Sequence, residues 1–296
     1  MKKGAFTMIE LILVIIIFGI IGTIGADIIA TMYKNYIQAR TINYLQSQSE
    51  ITLQQIAKRL QYRIKDTAIA HKGAIDLLLS DSTVDNTYNV IQWIGYSNEA
   101  LLTTAGQNPG WSGFIDLAAA GTNSAAKTLS TPGSNLAFAH NIISALTDSK
   151  VTLDNGNAAL IFKGIPDTAV GAVEGYWGGW DPDYVVRVTR NGNSVFNIVG
   201  AVVPKTIYEQ YYLAHTAYAI VPEGAGVNFT LTLRYNFQPW LGQTYEDGER
   251  AILADNVNLF RVRQTGSTIR LKLCLNDDQS SGAGDYIVTC KEEVVL

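Results

Sequence analysis

Glu10 is a lone acidic residue at the start of a long apolar stretch. Residues 11–26 contain no charged side chain, and the next charge is Asp27. With the apolar residues before Glu10, the stretch is about twenty residues long, enough for one helical crossing of a bilayer. An acid inside a membrane segment costs roughly 2.5–3.5 kcal/mol on insertion scales. We therefore expect Glu10 to be functional and to have a partner.

A cation for Glu10 becomes available if the chain is cut after Ala5. The new amine of Phe6 would then lie one helical turn from the acid. In an assembly of parallel helices, Glu10 of one copy would instead meet the amine of the next copy, which would set an axial stagger. A secretory signal peptide is the alternative. It is disfavoured because the small residues, Gly4 and Ala5, precede the apolar run, and because the helical pattern continues past the run with no small-x-small cleavage site followed by a turn.

Residues 4–22, GAFTMIELILVIIIFGIIG, closely resemble the leader and N-terminal helix of type IV prepilins, a pattern shared by pilins and type II secretion pseudopilins. The resemblance implies cleavage between Ala5 and Phe6 by a prepilin peptidase, with Gly4 also in the processing site. It also implies N-methylation of Phe6 and a requirement for Glu10 in filament assembly. The sequence departs from the family pattern at Ala5, where Gly is usual. Only the N-terminal helix is covered specifically.

The chain also lacks the helix-kinking proline that many pilins carry. We expect Gly19, Gly22 and Gly25 to loosen the helix there, since each glycine costs up to about 1 kcal/mol in a helix interior. The same three positions could permit close approach of a neighbouring helix.

The resemblance implies a subunit held in the bacterial inner membrane by a single span and then built into a periplasmic or cell-surface filament. Its partners would be other pilin or pseudopilin subunits, the prepilin peptidase and the inner-membrane assembly platform. Lys2 and Lys3 place the N-terminus in the cytoplasm by the positive-inside rule. We favour a minor pilin or a type II secretion pseudopilin, because the head is large and residues 252–273 weakly resemble the late hairpin of such proteins. The alternatives are a principal pilin of an adhesive or motility filament and a DNA-uptake or receptor-binding pilin.

The chain has two cysteines, Cys274 and Cys290. In an exported domain such a pair predicts one disulfide, and many pilins have a cysteine-bounded loop near the C-terminus. Closing a loop of about fifteen residues stabilises the fold by roughly 3 kcal/mol in the chain-entropy treatment. Three acids inside the loop could supply oxygen ligands to Ca²⁺, as happens in some pseudopilins: Asp277, Asp278 and Asp285. The spacing is not that of an EF-hand, so we favour a solvated acidic loop and expect no cofactor.

Other residues give little support to catalysis. His71, His140 and His215 are scattered and have no metal-ligand spacing. The sequence contains no G-x-S-x-G elbow, P-loop or H-E-x-x-H motif. The net charge is −4 from 22 basic and 26 acidic residues, and removal of Lys2 and Lys3 would make it −6 (20 minus 26). We predict no enzyme, and this acidity disfavours nucleic-acid binding.

These residues must be positioned by a long helix and a head domain. We predict a leader at residues 1–5, one helix over residues 6–65 with its membrane span at about 9–30, and a globular head over residues 66–296. Gly73 marks the expected end of the helical region. Tyr33, Ile37 and Tyr44 share one face of the helix, and a cleaner apolar stripe follows: Leu53, Ile56, Leu60 and Ile64.

The head is expected to be of the α+β class, with a large, mainly antiparallel sheet that covers the second half of the helix. The predicted strands cover residues 88–96, 158–162, 183–189, 194–203, 207–221, 227–237, 252–263 and 268–275. A short helix is expected over residues 137–145. Residues 175–184, GYWGGWDPDY, fit either a sugar-binding or adhesive loop or a tight loop whose Trp residues fill the core, and we favour the second.

Overall fold

The computed structural model describes residues 7–102, 106–165, 171–178, 181–224, 228–277 and 287–296. A 54-residue helix, α1 (Met8–Gln61), leads into a head built on one large sheet. Three shorter helices follow: α2 (Asn98–Leu101), α3 (Leu136–Leu146) and α4 (Ala172–Trp177). Short 3₁₀ turns occupy Lys65–Thr67, Pro239–Leu241 and Tyr245–Asp247.

Within the described ranges the sheet has twelve strands, and every strand pair in it is antiparallel. They are β1 (Ile69–Lys72), β2 (Ile75–Leu78), β3 (Val90–Tyr96), β4 (Thr128–Ser130), β5 (Ala158–Phe162), β6 (Val186–Asn191), β7 (Val195–Ile198), β8 (Tyr211–Glu223), β9 (Phe229–Phe237), β10 (Glu249–Thr265), β11 (Thr268–Asn276) and β12 (Val288–Val295). The predicted α+β class with an antiparallel head is therefore confirmed.

The central strand of the head is β8. One path runs β12-β11-β10-β9-β8 and continues from β8 through β5, β6 and β7 to β4, while β3 also pairs with β8 and leads to β1 and β2. Ala214 of β8 pairs with Tyr96 on β3 and with Ala159 on β5. Because a strand residue has only two lateral neighbours, β5 must lie on the side of β8 opposite β3.

The C-terminal half of α1 packs on the sheet through an apolar stripe. Leu53, Ile56 and Leu60 are each 1% exposed and belong to one core cluster with residues of β8 to β12. Thr52 donates its hydroxyl to the carbonyl oxygen of Leu253 at 3.1 Å, so a polar side chain within the stripe is also satisfied by β10. The predicted stripe is confirmed, with Ile64 buried just beyond the helix.

The helix ends earlier than the sequence suggested, and Gly73 is not its end. After Gln61 the chain joins the sheet: Ile64 N–H donates to Ile94 O at 2.9 Å, and Arg63 forms a bridge with Gly95. These pairings with β3 replace the helical hydrogen bonds. Gly73 has φ +62 and lies in the two-residue turn between β1 and β2, where a left-handed conformation is needed.

A second core lies under the half of the sheet formed by β4 to β7. It contains Leu136, Ala139 and Ile143 of α3, packed with strand residues such as Phe196. Asn135 caps α3, because its side-chain oxygen accepts from the Phe138 N–H at 3.3 Å. No α1 side chain belongs to this cluster.

The segment at residues 175–184 contributes tyrosines to the core rather than the tryptophans that were predicted, and its first residues belong to helix α4 rather than to a tight loop. Tyr176 and Tyr184 are buried and meet edge to face with ring centroids 5.0 Å apart. Trp177 on α4 donates its ring N–H to Thr67 O at 2.9 Å. Residues 179 and 180 of the segment lie outside the described residues.

Candidate membrane anchor and assembly helix

The first turn of α1 is closed by Thr7 and Glu10. The backbone N–H and the hydroxyl of Thr7 each donate to Glu10 Oε2 at 3.0 Å. Thr7 is the N-cap and Glu10 is the third helical residue, so the pair follows the capping-box spacing. The acid predicted to need a partner therefore has one within its own chain.

The processing residues of the sequence analysis lie outside the described part of the chain. Gly4, Ala5 and Phe6 all precede residue 7. The predicted pairing of the Phe6 amine with Glu10 thus stays a prediction. Glu10 itself is exposed, so its carboxylate is accessible to a second partner.

The N-terminal half of α1 makes almost no contact with the rest of the chain. Large apolar side chains are open along its length, with exposed fractions of 84% at Met8, 71% at Phe18 and 69% at Ile29. In the described ranges, α1 is the helix that is long and apolar enough to cross a membrane. Apolar surface on this scale needs a membrane or other protein chains to cover it.

Gly19, Gly22 and Gly25 lie in this exposed half. A Cβ atom built on any of them would meet no heavy atom within 4 Å. Their small size therefore serves no packing inside this chain and leaves room for an external helix.

Packing against the head begins at Leu45, which is 5% exposed. Glu50 on α1 pairs with Lys291 on the edge strand β12 at 2.7 Å. Beyond the helix, buried Arg63 donates from Nη1 to Leu60 O and from Nη2 to Ser267 O, both at 2.8 Å. Burial lowers the pKa of this guanidinium from its usual value. Arg63 ties the helix end to the β10–β11 turn. The sequence offered no signal for this role, because its partners are backbone carbonyls.

Cys274 and Cys290 are joined by a disulfide, as expected. They face each other across β11 and β12, and pairing continues beyond them to Asn276 and Val288. The disulfide is therefore a cross-strand bridge within the β11–β12 pair rather than the closure of a free loop. Cys274 is 3% exposed, whereas Cys290 is solvent-exposed.

The candidate calcium ligands are only partly described. Asp277 lies at the end of β11, where its N–H donates to Ile287 O at 3.0 Å. Asp278 and Asp285 lie outside the described residues. Among the residues that are described, no group of three or more His, Cys, Asp or Glu side chains could hold a metal ion.

The three histidines occupy separate elements. His71 on β1 pairs with Asp76 on β2 at 2.7 Å, and His140 on α3 lies 3.5 Å from Asp154. His215 is buried in β8, where desolvation lowers its pKa from 6.5 to about 4. The structure does not bring them together into one site.

Searches with protein-family models, among curated proteins and among solved structures found no match to this chain.

Proposed function

We propose that this protein is a structural subunit of a type IV pilus-like filament, and that it assembles through α1 as a minor pilin or a type II secretion pseudopilin. The observation that carries the proposal is the exposed N-terminal half of α1, which begins at the Thr7–Glu10 cap and is followed by a half that packs on the head. This is the arrangement expected of a chain that starts in a membrane and is later packed beside copies of itself.

Length supports an assembly role in addition to anchoring. From Met8 to Tyr44, α1 is exposed over a length of about 55 Å, whereas the hydrocarbon core of a bilayer is about 30 Å thick. A bilayer therefore covers about twenty residues and leaves a long exposed section outside. Helices of neighbouring copies in a filament would cover both parts.

Processing and location follow from the prepilin resemblance. A prepilin peptidase would cut between Ala5 and Phe6, and Phe6 would then be N-methylated. Before assembly the subunit would lie in the bacterial inner membrane with its N-terminus in the cytoplasm and its disulfide-bonded head outside. An inner-membrane platform would move it into a filament through a repeating, non-closing contact.

Mass spectrometry of filaments sheared from the native cells tests this proposal. It reads the N-terminus and the subunit stoichiometry in one experiment. A methylated Phe6 at trace abundance, or only in membranes, supports a minor pilin or pseudopilin. The same N-terminus at dominant abundance makes the protein a principal pilin. An intact Met1 in assembled material overturns the proposal.

A further inference from the structure

A groove separates α1 from the sheet on the membrane side of the point where the helix packs on the head. It has a volume of about 1080 Å³ and lies between the α1 segment from Thr31 to Gln48 and residues of β10 and the end of β11. The helix face that buries Leu45 continues into it through Thr41, Gln38 and Lys34, at steps of three or four. Since the predicted span ends just before Thr31, this juxtamembrane groove opens at the membrane surface.

We propose that the juxtamembrane groove binds the headgroup of a zwitterionic phospholipid with a primary amine, of the phosphatidylethanolamine class, while the subunit is in the membrane. The phosphate lies against the helix wall of the groove, and the ammonium lies against the sheet wall. This inference rests on the membrane anchoring in the proposed function, and it adds a ligand that the anchor alone does not specify.

The helix wall supplies positive charge. Lys34 and Arg40 line the groove, and neither forms an ion pair with a described residue. At 1.5 Å per residue, Lys34 lies about 6 Å above residue 30, within a headgroup layer that is roughly 5–7 Å thick on each side of the hydrocarbon core. Arg40 lies higher, but side chains on a helix point toward its N-terminus, here toward the membrane. Both cations can therefore donate to a lipid phosphate.

The sheet wall supplies acceptors. Asp255 and Asp277 line it, and so does Asn276, which is 4% exposed. The Nδ2 group of Asn276 donates to Asn228 Oδ1, whereas its own Oδ1 accepts no hydrogen bond from a described residue. An ammonium carries three N–H donors and no acceptor, so it suits a wall of this kind.

The balance of charge favours a zwitterion over an anion. Among the described residues that line the groove, two are basic and two are acidic. The two signs lie on opposite walls, the basic residues on α1 and the acids on the sheet side. A headgroup with a phosphate at one end and an ammonium at the other matches both walls, whereas a purely anionic headgroup would meet the acids unpaired.

Bulges in β10 shape the sheet wall. The register between β10 and β9 shifts between Ile252 and Ala254 and again between Ala254 and Val257. Asn256 has φ +54, a left-handed conformation that Asn adopts more readily than most residues. A bulge bends its strand and re-aims a side chain. These bulges therefore place Asp255 and Asn256 at the groove, where an unbroken ladder would have continued the packing.

Apolar and aromatic surface completes the groove. Tyr33 lines it and is 65% exposed, three residues beyond the end of the predicted span. Tyrosine is enriched at membrane interfaces because its ring is amphipathic. Ile252 on the opposite wall is 55% exposed and offers apolar contact to the glycerol backbone of the lipid.

The test is native mass spectrometry of the full chain after reconstitution in nanodiscs that contain equal parts of three lipids. Phosphatidylethanolamine is compared with phosphatidylcholine, which has the same charges but no N–H donor, and with phosphatidylglycerol, which is anionic and has no amine. The lipids that stay bound after transfer to detergent are counted for the wild type, Lys34→Gln and Asp255→Asn. The matched control is Lys58→Gln, because Lys58 is also exposed on α1 but does not line the groove.

We expect the wild type to retain phosphatidylethanolamine several-fold more than either other lipid. Lys34→Gln should lower this retention several-fold, Asp255→Asn should shift the preference toward phosphatidylglycerol, and Lys58→Gln should match the wild type. Equal retention of phosphatidylethanolamine and phosphatidylcholine, or a preference of the wild type for phosphatidylglycerol, would overturn the assigned headgroup. Equal retention by Lys34→Gln and Lys58→Gln would overturn the site.

A separate measurement keeps this inference distinct from the proposed function. Carbonate extraction of native membranes shows whether the chain is anchored in the bilayer. Release of the wild type by carbonate would overturn the proposed function. An anchored chain that retains the three lipids equally would overturn only the lipid site.

Discussion

Glu10 Oε2 accepts two hydrogen bonds from Thr7, one from its backbone N–H and one from its hydroxyl, each at 3.0 Å. Both bonds end on the same oxygen. An ionised carboxylate has roughly four acceptor sites over its two oxygens. Glu10 can therefore close its own helix and still receive an amine, either from Phe6 of its own chain or from the next copy. The cap and the proposed assembly contact do not compete.

Replacement of Glu10 separates these two roles. Glu10→Ala should block incorporation into filaments while cleavage after Ala5 continues, because the cationic amine then has no acid to meet. Glu10→Gln keeps an oxygen for Thr7 but removes the charge, so it should assemble as poorly as the alanine variant. Immunoblots of the sheared fraction measure incorporation into filaments, and immunoblots of the membrane fraction measure cleavage. Normal assembly of Glu10→Gln would reduce Glu10 to a helix cap.

Leu53 is expected to be a main stabilising residue between α1 and the head. It is 1% exposed, so Leu53→Ala should lower the free energy of unfolding by about 3 kcal/mol through lost burial and a cavity. Ile51, two residues earlier, is 47% exposed, so Ile51→Ala should lower the free energy of unfolding by about 0.5 kcal/mol or less. Urea unfolding of the full chain in detergent, followed by tryptophan fluorescence, gives the comparison. Equal losses of unfolding free energy in the two variants would contradict the observed packing of Leu53 between α1 and the sheet.

Glu223 should make the head sensitive to strong acid. Its carboxylate accepts from Arg250, Arg234 and Thr232, and these contacts lower its pKa from 4.5 to about 2. A lowered carboxyl pKa stabilises the fold above about pH 4.5, and this stabilisation is lost as pH falls toward 2.

The difference in unfolding free energy between the wild type and Glu223→Gln should therefore shrink from pH 5 to pH 2. Denaturant titrations at each pH measure it. A difference that stays constant over this range would contradict the ion-pair contribution.

His215 should affect the stability of the fold in a different pH range from Glu223. It is 4% exposed, its Nδ1 has no hydrogen-bond partner among the described residues, and burial lowers its pKa from 6.5 to about 4. Because the folded state resists protonation, stability is complete above about pH 6.5 and falls as pH drops toward 4. His215→Gln should flatten the stability curve between pH 6.5 and 4, compared with the wild type at each pH. An unchanged slope would show that the imidazole is solvated.

The disulfide should stabilise the edge of the sheet nearest to α1. Replacing both Cys274 and Cys290 with serine should lower the unfolding free energy by roughly 3 kcal/mol, as expected for a loop of about fifteen residues. Chemical denaturation of the oxidised wild type and the double variant measures this loss. A reducing agent should lower the stability of the wild type and leave the variant unchanged. Equal stability of all samples would show that the disulfide is redundant.

Much of the sheet could be predicted where strands follow apolar runs. Residues 158–162 form β5 as expected, and the turn at Gly266 joins β10 to β11. The predicted helix over residues 137–145 corresponds to α3. These segments carry their own pattern, so local sequence is sufficient.

The missed strands lack such a pattern. β12 has the sequence VTCKEEVV. Its charged residues are typical of an edge strand, but they also resemble the composition of a loop, so no strand was predicted there. β1 and β2 are four residues each. Their position depends on pairing with β3, which no local pattern encodes. The partner of Glu10 was also missed, although the T-x-x-E spacing at Thr7 is a helix-start signal that could have revealed it.

Of the three hydrophobic clusters among the described residues, the one that packs α1 and the one around α3 share no residue. The seat of α1 lies among β8 to β12, whereas the core around α3 contains no α1 residue. Substitutions or insertions around β4 to β7 can therefore reshape the outer surface without moving the helix from its seat. In the proposed filament, the helix and its supporting strands would be constrained by neighbouring copies, whereas the surface around α3 would not be constrained by the packing of α1.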